Sequence, residues 1–357
     1  MGRNKVRYIC LLLLGSIMFS QGMVNRLRAP IIIKGKFGVG YDNNFLRLSN
    51  KEIKKDNVYQ YGITSTIDSP ILKPTLQLIY SPVIIDDKKT NILISVSYGH
   101  YLHAVQKSYL ISNFGLQLKL RSYSWIKLGV RDIPEYYLRK YNDRDLSSYE
   151  YYNCTFSSQK YYGSYSIPVK YIPRTWMRIY IDFTKEYYNP HFTEFDLNKT
   201  LIQLDLNHKS KKKYKIKFSI SHGNAENISY ESSLPSTGFD RSYIFDKVNG
   251  EVIYKVRKIN EVEDWGFSLL LEQRYYNLLS DKYSINNWKY YLDGRAKVWV
   301  DWNFMGDLGF KTYYQYRWRD ASTQIYGDFD WIEDIKSHSK HEFWLEIAYN
   351  FTLDILY

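Results

Sequence analysis

The sequence predicts an all-β fold, a transmembrane antiparallel up-and-down β-barrel of about 14 strands. Three observations predict it. From residue 343 to the end, Phe343, Leu345, Ile347, Tyr349, Phe351, Leu353, Ile355 and Tyr357 occupy every odd position, with Glu346, Ala348, Asn350, Thr352 and Asp354 between them. That period of two is the pattern of a strand with one apolar and one polar face. Similar alternating segments recur along the whole chain. The connections between them alternate between short and long.

The N-terminal residues 1–22 read as a secretory signal peptide. Arg3, Lys5 and Arg7 supply the positive start, Ile9 to Phe19 the apolar run, and Ser20 and Gly22 the small residues at the cleavage point. Residues 23–30 then form a short periplasmic segment, and 31–357 the barrel. The apolar run is too short to span a bilayer as a helix, and no later segment approaches that length. A chain of this kind crosses a membrane only as strands.

Composition agrees. Charged residues make up 24% of the 357, too many for a helical membrane protein. The 37 tyrosines and 9 tryptophans suit strands and the aromatic girdles where a barrel meets the membrane interfaces. Of the two cysteines, Cys10 leaves with the signal and Cys154 remains, which excludes an internal disulfide or a cysteine metal centre.

In chain order the alternation begins with Ile33, Gly35, Phe37, Val39 and Tyr41. It continues through Leu76–Tyr80, Ile92–Tyr98, Leu110–Leu120 on even positions, Ile126–Val130 and Tyr161–Val169. Met177–Phe183 is next, then Phe195–Asn207, where the apolar parity switches near Leu201 and predicts a bulge. Tyr214–Ile220, Val248–Val256, Trp265–Leu271, Leu292–Trp302 and Phe310–Trp318 precede the terminal strand. Each reads near the ~9–11 residues that cross a membrane. Stretches 81–91, 122–124, 169–174, 207–213, 258–263 and 303–307 read as short turns. Stretches 42–74, 132–150, 186–193, 223–241, 277–288 and 319–341 read as longer polar loops. Short periplasmic turns opposite long extracellular loops require an even strand number. Val58–Ile67 reads as loop structure, because a strand there would break the count.

Two stretches carry a family resemblance. Gly38-Val-Gly-Tyr-Asp-Asn-Asn-Phe-Leu-Arg-Leu-Ser49 resembles the first strand and loop entry of uncharacterised porin-like bacterial outer-membrane β-barrel proteins. Asp132-Ile-Pro-Glu-Tyr-Tyr-Leu-Arg-Lys-Tyr-Asn-Asp-Arg-Asp145 is similar to an exposed loop of the same group. The resemblance implies a bacterial outer membrane location, with membrane lipid, lipopolysaccharide and the outer-membrane assembly machinery as partners. Tyr349, Phe351, Leu353, Ile355 and Tyr357 look like the C-terminal assembly signal of such barrels.

If apolar positions face lipid, their strand neighbours face the lumen. Among those neighbours Lys215, Lys217, Arg295, Lys297, Lys311 and Arg317 are the candidate lumen-facing basic residues, and basic positions outnumber acidic ones on that face. An open lumen of this sign would enrich anions, so passive passage of small hydrophilic solutes or anions is expected. Two alternatives stand beside it. The charges could be internal ion-pair networks in a closed surface-binding or structural barrel, or strand-end basics could meet lipopolysaccharide phosphates. Any constriction must come from a loop, and 42–74 is the longest candidate. Loops 223–241 and 319–341, with Tyr230, Phe239, Tyr326, Phe329 and Trp331, are others.

A barrel-embedded enzyme is the third and least favoured reading, and no catalytic, cofactor-binding or metal residues are predicted. The seven histidines form no local Ser-His-acid or metal motif, and the pair His338 and His341 reads as solvated. Nor is nucleic acid an expected partner, since the basic residues are spread over many strands rather than clustered.

Overall fold

In the computed structural model the described residues are 29–54, 61–62, 64, 66–85, 88–143, 150–211, 213–229, 240–259, 262–276, 289–305, 307–323 and 336–353. Fourteen strands are formed: β1 (Ile31–Asp42), β2 (Ser69–Tyr80), β3 (Thr90–Tyr101), β4 (Tyr109–Arg121), β5 (Ser124–Asn142), β6 (Tyr151–Pro168), β7 (Thr175–Tyr188), β8 (Leu197–Lys209), β9 (Tyr214–Asn227), β10 (Tyr243–Ile259), β11 (Val262–Tyr276), β12 (Lys289–Met305), β13 (Leu308–Thr323) and β14 (His338–Leu353). Each pairs antiparallel with its sequence neighbours. The ring closes where β1 meets β14, from Ile31 opposite Leu353 to Asp42 opposite Glu342. Closure removes both edges, which is what lipid demands of a sheet.

The alternation read in the sequence is the alternation of faces. Phe37, Val39, Ile94, Val96, Leu128, Ile181, Ile202, Phe218, Val298, Phe343 and Leu345 are exposed on the outside. Their strand neighbours point inward. Rings such as Tyr254 with Trp265, and Tyr316 with Trp318, stand in contact near the two ends of this apolar band. An apolar band between aromatic rims is the surface of a bacterial outer-membrane barrel, and the short turns define its periplasmic end. Glycines let aromatic rings lie against the strand. A Cβ on Gly40 would stand 2.5 Å from the ring of Trp344, and one on Gly99 would stand 2.5 Å from that of Tyr109. The strand is bare there, and an inward aromatic ring lies across it.

The structure departs from the sequence reading in three places. First, the strands are longer than a membrane crossing, reaching 19 residues in β5 and 18 in β6. The stretch Asp132–Asn142, expected in a loop, is the upper half of β5. Its period is broken by register shifts between Ile133 and Tyr136 and between Tyr137 and Arg139, around Pro134. Secondly, β8 pairs with both neighbours without a register shift, so the bulge expected near Leu201 is absent. Leu197 and Leu201 face inward and are buried with Ala225, Tyr243 and Phe245. An apolar patch on the lumen wall imitated a parity switch. Thirdly, β2 begins at Ser69, so the first extracellular connection is 43–68. Residues 1–28, with the expected signal peptide, lie outside the described residues. So do the loop aromatics Tyr230, Phe239, Tyr326, Phe329 and Trp331.

Candidate functional site

Among the described residues, the inner wall gathers charge in rows. In an antiparallel barrel, residues directly opposite one another line up around the wall. One such row reads Arg319, Asp293, Glu272, Lys247, Ser221, Gln203, Tyr180, Ser164 and Lys127, from β13 round to β5. Its first part is a ladder of ion pairs. Arg319 Nε donates to Asp293 Oδ1 at 2.8 Å, Arg274 reaches Asp293 and Glu272 at 3.4 and 2.7 Å, and Lys247 meets Glu272 at 2.8 Å. Alternating charges on adjacent strands tie β10, β11, β12 and β13 together across the inner face.

The first extracellular connection turns into the barrel. Asn44 fixes its entry: its side-chain amide donates to the Leu48 and Ser339 carbonyls at 2.9 and 3.0 Å, and its side-chain oxygen accepts from the Leu48 amide. Phe45, Leu46 and Leu48 are then buried against inward-facing Ile71, Tyr101, Tyr137 and Trp344. Ser49 begins the one-turn helix α1 (Asn50–Lys54). Ser49 Oγ accepts from the Glu52 amide at 3.2 Å, and Glu52 accepts from the Ser49 amide at 2.9 Å, a reciprocal cap written in the Ser-x-x-Glu spacing. Glu52 also accepts from Arg139 Nη1 at 3.1 Å, and both side chains of this pair are buried. Lys340 pairs with Asp42 at 2.7 Å beneath the entry. In the connection between β3 and β4, Lys107 donates to the Tyr137 and Leu138 carbonyls at 2.6 and 3.0 Å. Burial pulls its pKa down to about 8. The inserted loop covers the wall from β13 through β5. The buried apolar cluster on the opposite wall is formed by β8, β9 and β10, with Tyr180 of β7 and Tyr276 of β11 packed against it.

The six basic residues read from the sequence share the inward-facing parity, but they do not form one set. Lys311 is bound by Asp301 at 2.9 Å, Arg317 lies 3.6 Å from Glu342, and Lys217 is 4.0 Å from Asp205, which is itself fully buried and held by Arg178. Lys215, Arg295 and Lys297 have no carboxylate partner among the described residues. Lys297 stands 3.5 Å from the centroid of the Tyr313 ring, and Arg295 is solvent-exposed on its strand. Two further cations complete the group. Lys73 lies over the Trp344 ring at 5.8 Å and within electrostatic reach of Arg131, Arg317, Glu342 and Glu346. Lys297 is in turn within reach of Lys73, Arg295, Lys311 and Glu346. Among the described residues, Lys73, Arg131, Arg295 and Lys297 thus lie near one another with no carboxylate at ion-pair distance; Glu346 is within electrostatic reach of Lys73 and Lys297, while Glu342 is already taken by Lys340 and Arg317.

Lys73 was missed because Pro70 and Pro74 flank it. A proline supplies no ladder donor and argues against a strand, yet both prolines here lie on the outward parity of β2. Arg139 was missed with the upper half of β5. Of the C-terminal signal residues, Tyr349, Phe351 and Leu353 are exposed on the outer face, and Ile355 and Tyr357 lie outside the described residues. His338 and His341 face opposite sides of β14. His341 Nδ1 is 2.7 Å from the Tyr314 hydroxyl, and among the described residues no group of three acidic, cysteine or histidine side chains is placed to hold a metal.

No protein-family model matches the chain, and no curated protein matches it by sequence. Solved structures with similar folds include the anion-selective porin from Comamonas acidovorans, at 8% identity and a TM-score of 0.44, covering 90% of this chain and 98% of that one. The outer membrane channel DcaP of Acinetobacter baumannii follows at 11% identity and a TM-score of 0.46, covering 90% of this chain and 98% of that one. Acinetobacter baumannii OccAB4 is similar at 11% identity and a TM-score of 0.41, covering 92% of this chain and all of that one (100%). What this chain does is read from its own geometry.

Proposed function

We propose that this chain is a porin-like channel of the bacterial outer membrane that passes small hydrophilic solutes and prefers anions. It works by passage, with no chemical step. The observation that carries the reading is the convergence of Lys73, Arg131, Arg295 and Lys297 on the inner face with no carboxylate at ion-pair distance among the described residues and one, Glu346, within electrostatic reach. Arg131 and Arg295 are solvent-exposed, so water reaches this part of the lumen; buried, such charges would each cost several kcal/mol. A wet lumen walled by low dielectric focuses their field and raises the local anion concentration. Barrels of 8 strands fill with side chains and those of 16–18 leave a channel. At 14 strands, a loop inserted from one side narrows the path without having to fill it. The buried loop also supports a closed-lumen binding or structural barrel as the second reading.

Purified protein in a planar bilayer under a potassium chloride gradient separates the two. The reversal potential is expected to show chloride passing several-fold better than potassium. Changing Lys73, Arg295 and Lys297 together to Gln is expected to bring the ratio close to one without unfolding the barrel. No wild-type conductance would favour the closed lumen, and a folded triple variant with unchanged selectivity would remove these residues from the path.

A further inference from the structure

A recess of about 330 Å³ opens in the inner wall at β5–β8, facing β10 and β11, and is lined in part by Lys127, Lys160, Tyr162, Arg178, Tyr180 and Gln203. No described residue of the inserted loop lines it. Its floor is aromatic: the Tyr162 and Tyr180 rings are stacked at 6.1 Å with 27° between their planes. Lys160 is neutralised by Asp182 at 3.1 Å and Arg178 by Asp205, yet the Lys160 and Arg178 side chains remain about one-third exposed, at 33% and 34%. Lys127 is different. Among the described residues it has no ion pair. Its Nζ lies 5.6 Å from the Tyr162 ring centroid, and the charge within its electrostatic reach is another cation, Arg178. In the cross-strand row, Lys127, Ser164, Tyr180 and Gln203 stand side by side on four consecutive strands.

We infer that this recess is a binding subsite for a single-ring hydrophilic solute that carries one anionic group, a carboxylate or a phosphate monoester. Each part of the wall supplies one requirement of such a ligand. The excess cation, Lys127, receives the anionic oxygens in a charge-assisted hydrogen bond. The tyrosine floor takes the flat face of the ring, as aromatic platforms in polar sites do. Ser164 offers a hydroxyl to ring substituents, and Gln203, whose Nε2 donates to Asp205 Oδ1 at 2.6 Å, offers its amide oxygen. Small-ligand sites start near 300 Å³, so the volume admits one ring rather than a chain of them. Saturable binding inside a diffusive path means that the channel is selective for a solute class and not merely for a sign of charge.

The inference rests on reading the lumen as accessible to solutes, so two measurements are paired. Isothermal titration calorimetry on detergent-purified protein with glucuronate, glucose 6-phosphate and glucose measures binding without any need for conduction. Ion currents through planar bilayers, with the same three sugars added, report block of the path. Glucuronate, glucose 6-phosphate or both are expected to bind and to block saturably, with neutral glucose at least tenfold weaker. Which of the two anions binds distinguishes a carboxylate from a phosphate ligand. Lys127→Gln is expected to raise the Kd of the anionic sugar about tenfold, roughly 1.4 kcal/mol. Lys127→Arg should restore most of it, and Lys89→Gln, in the exposed turn between β2 and β3, should leave it unchanged. Binding without conductance would keep the subsite and reject the channel. Anion-selective conductance with no saturable binding, with glucose binding equally well, or with a folded Lys127→Gln variant of unchanged affinity, would reject the subsite and keep the channel.

Discussion

Arginine placed at both Ile347 and Phe351 is expected to abolish recovery of the chain in outer membranes. Both side chains point outward on β14 and are 38% and 47% exposed. Opposite them on β1 stand Phe37 and Ile33, so they lie on the seam that closes the ring. A charge on the lipid face at mid-membrane costs ~2–4 kcal/mol. The two positions are four residues apart along one strand, with Phe351 nearer the interface where the cost falls to about 0–1 kcal/mol, so the costs add to ~2–5 kcal/mol. That is a large fraction of the stability of an ordinary domain, about 5–15 kcal/mol. The loss is also local: a frayed β14 exposes the β1 edge, and an open edge has no place in lipid. The same strand carries the proposed recognition signal for the assembly machinery, which would deepen the defect. Glu346→Gln, between the two positions but on the inward face, is the control and should insert normally. Membrane fractionation, with the mobility of unheated protein in gels, reads the outcome. Normal insertion of the double arginine variant would mean that the outer face is misassigned.

The fold was legible because lipid imposes the simplest code a strand can carry. With water on one face and hydrocarbon on the other, Phe343, Leu345, Ile347, Tyr349, Phe351 and Leu353 had to share a parity, and the strand count followed from the repetition. Legibility failed where the environment changed. Above the membrane, β5 no longer needs an apolar outer face, so Asp132–Asn142 reads as loop although its backbone stays paired. Inside the lumen an apolar patch is allowed, so Leu201 reads as a slip of register although none occurs. The site was half legible for the same reason. Parity gives the face of Lys311, Arg317 and Lys217 but not their partners, because Asp301, Glu342 and Asp205 come from neighbouring strands whose register the sequence does not state. Which cations stay unpaired, and so shape the field in the lumen, is a property of register alone. Lys127 faces inward like Lys160 in the next strand, and only the pairing shows that Lys160 has a carboxylate while Lys127 has none among the described residues.

Replacing Glu52 is expected to enlarge the conducting path. Glu52 and Arg139 are buried together, and the pair is the charged link between the inserted loop and β5. Removing one partner of a buried pair costs about 3–5 kcal/mol, because the other charge is left without compensation. Arg139 can escape that penalty in one way, by regaining water as the loop withdraws. Its remaining contacts, the rings of Tyr61 and Tyr141 at 4.7 and 5.2 Å, do not replace a carboxylate. Phe45, Leu46 and Leu48 oppose withdrawal, each contributing roughly 1.5–3 kcal/mol if its burial is lost entirely. The balance predicts a loop that leaves for part of the time, seen as larger and noisier current steps rather than a constant wide pore. Two variants separate the charge from the cap. Glu52→Gln keeps a side chain able to close the Ser49 cap and loses only the charge, whereas Glu52→Ala loses both. The expected order of mean conductance is therefore Ala above Gln above wild type. Exchanging the partners, Glu52→Arg with Arg139→Glu, should bring the steps back toward the wild-type size. Single-channel recordings measure all four proteins. If Glu52→Ala folds, inserts and conducts like wild type, then the loop is held by its apolar side chains alone, and the buried ion pair has no part in setting the width of the path.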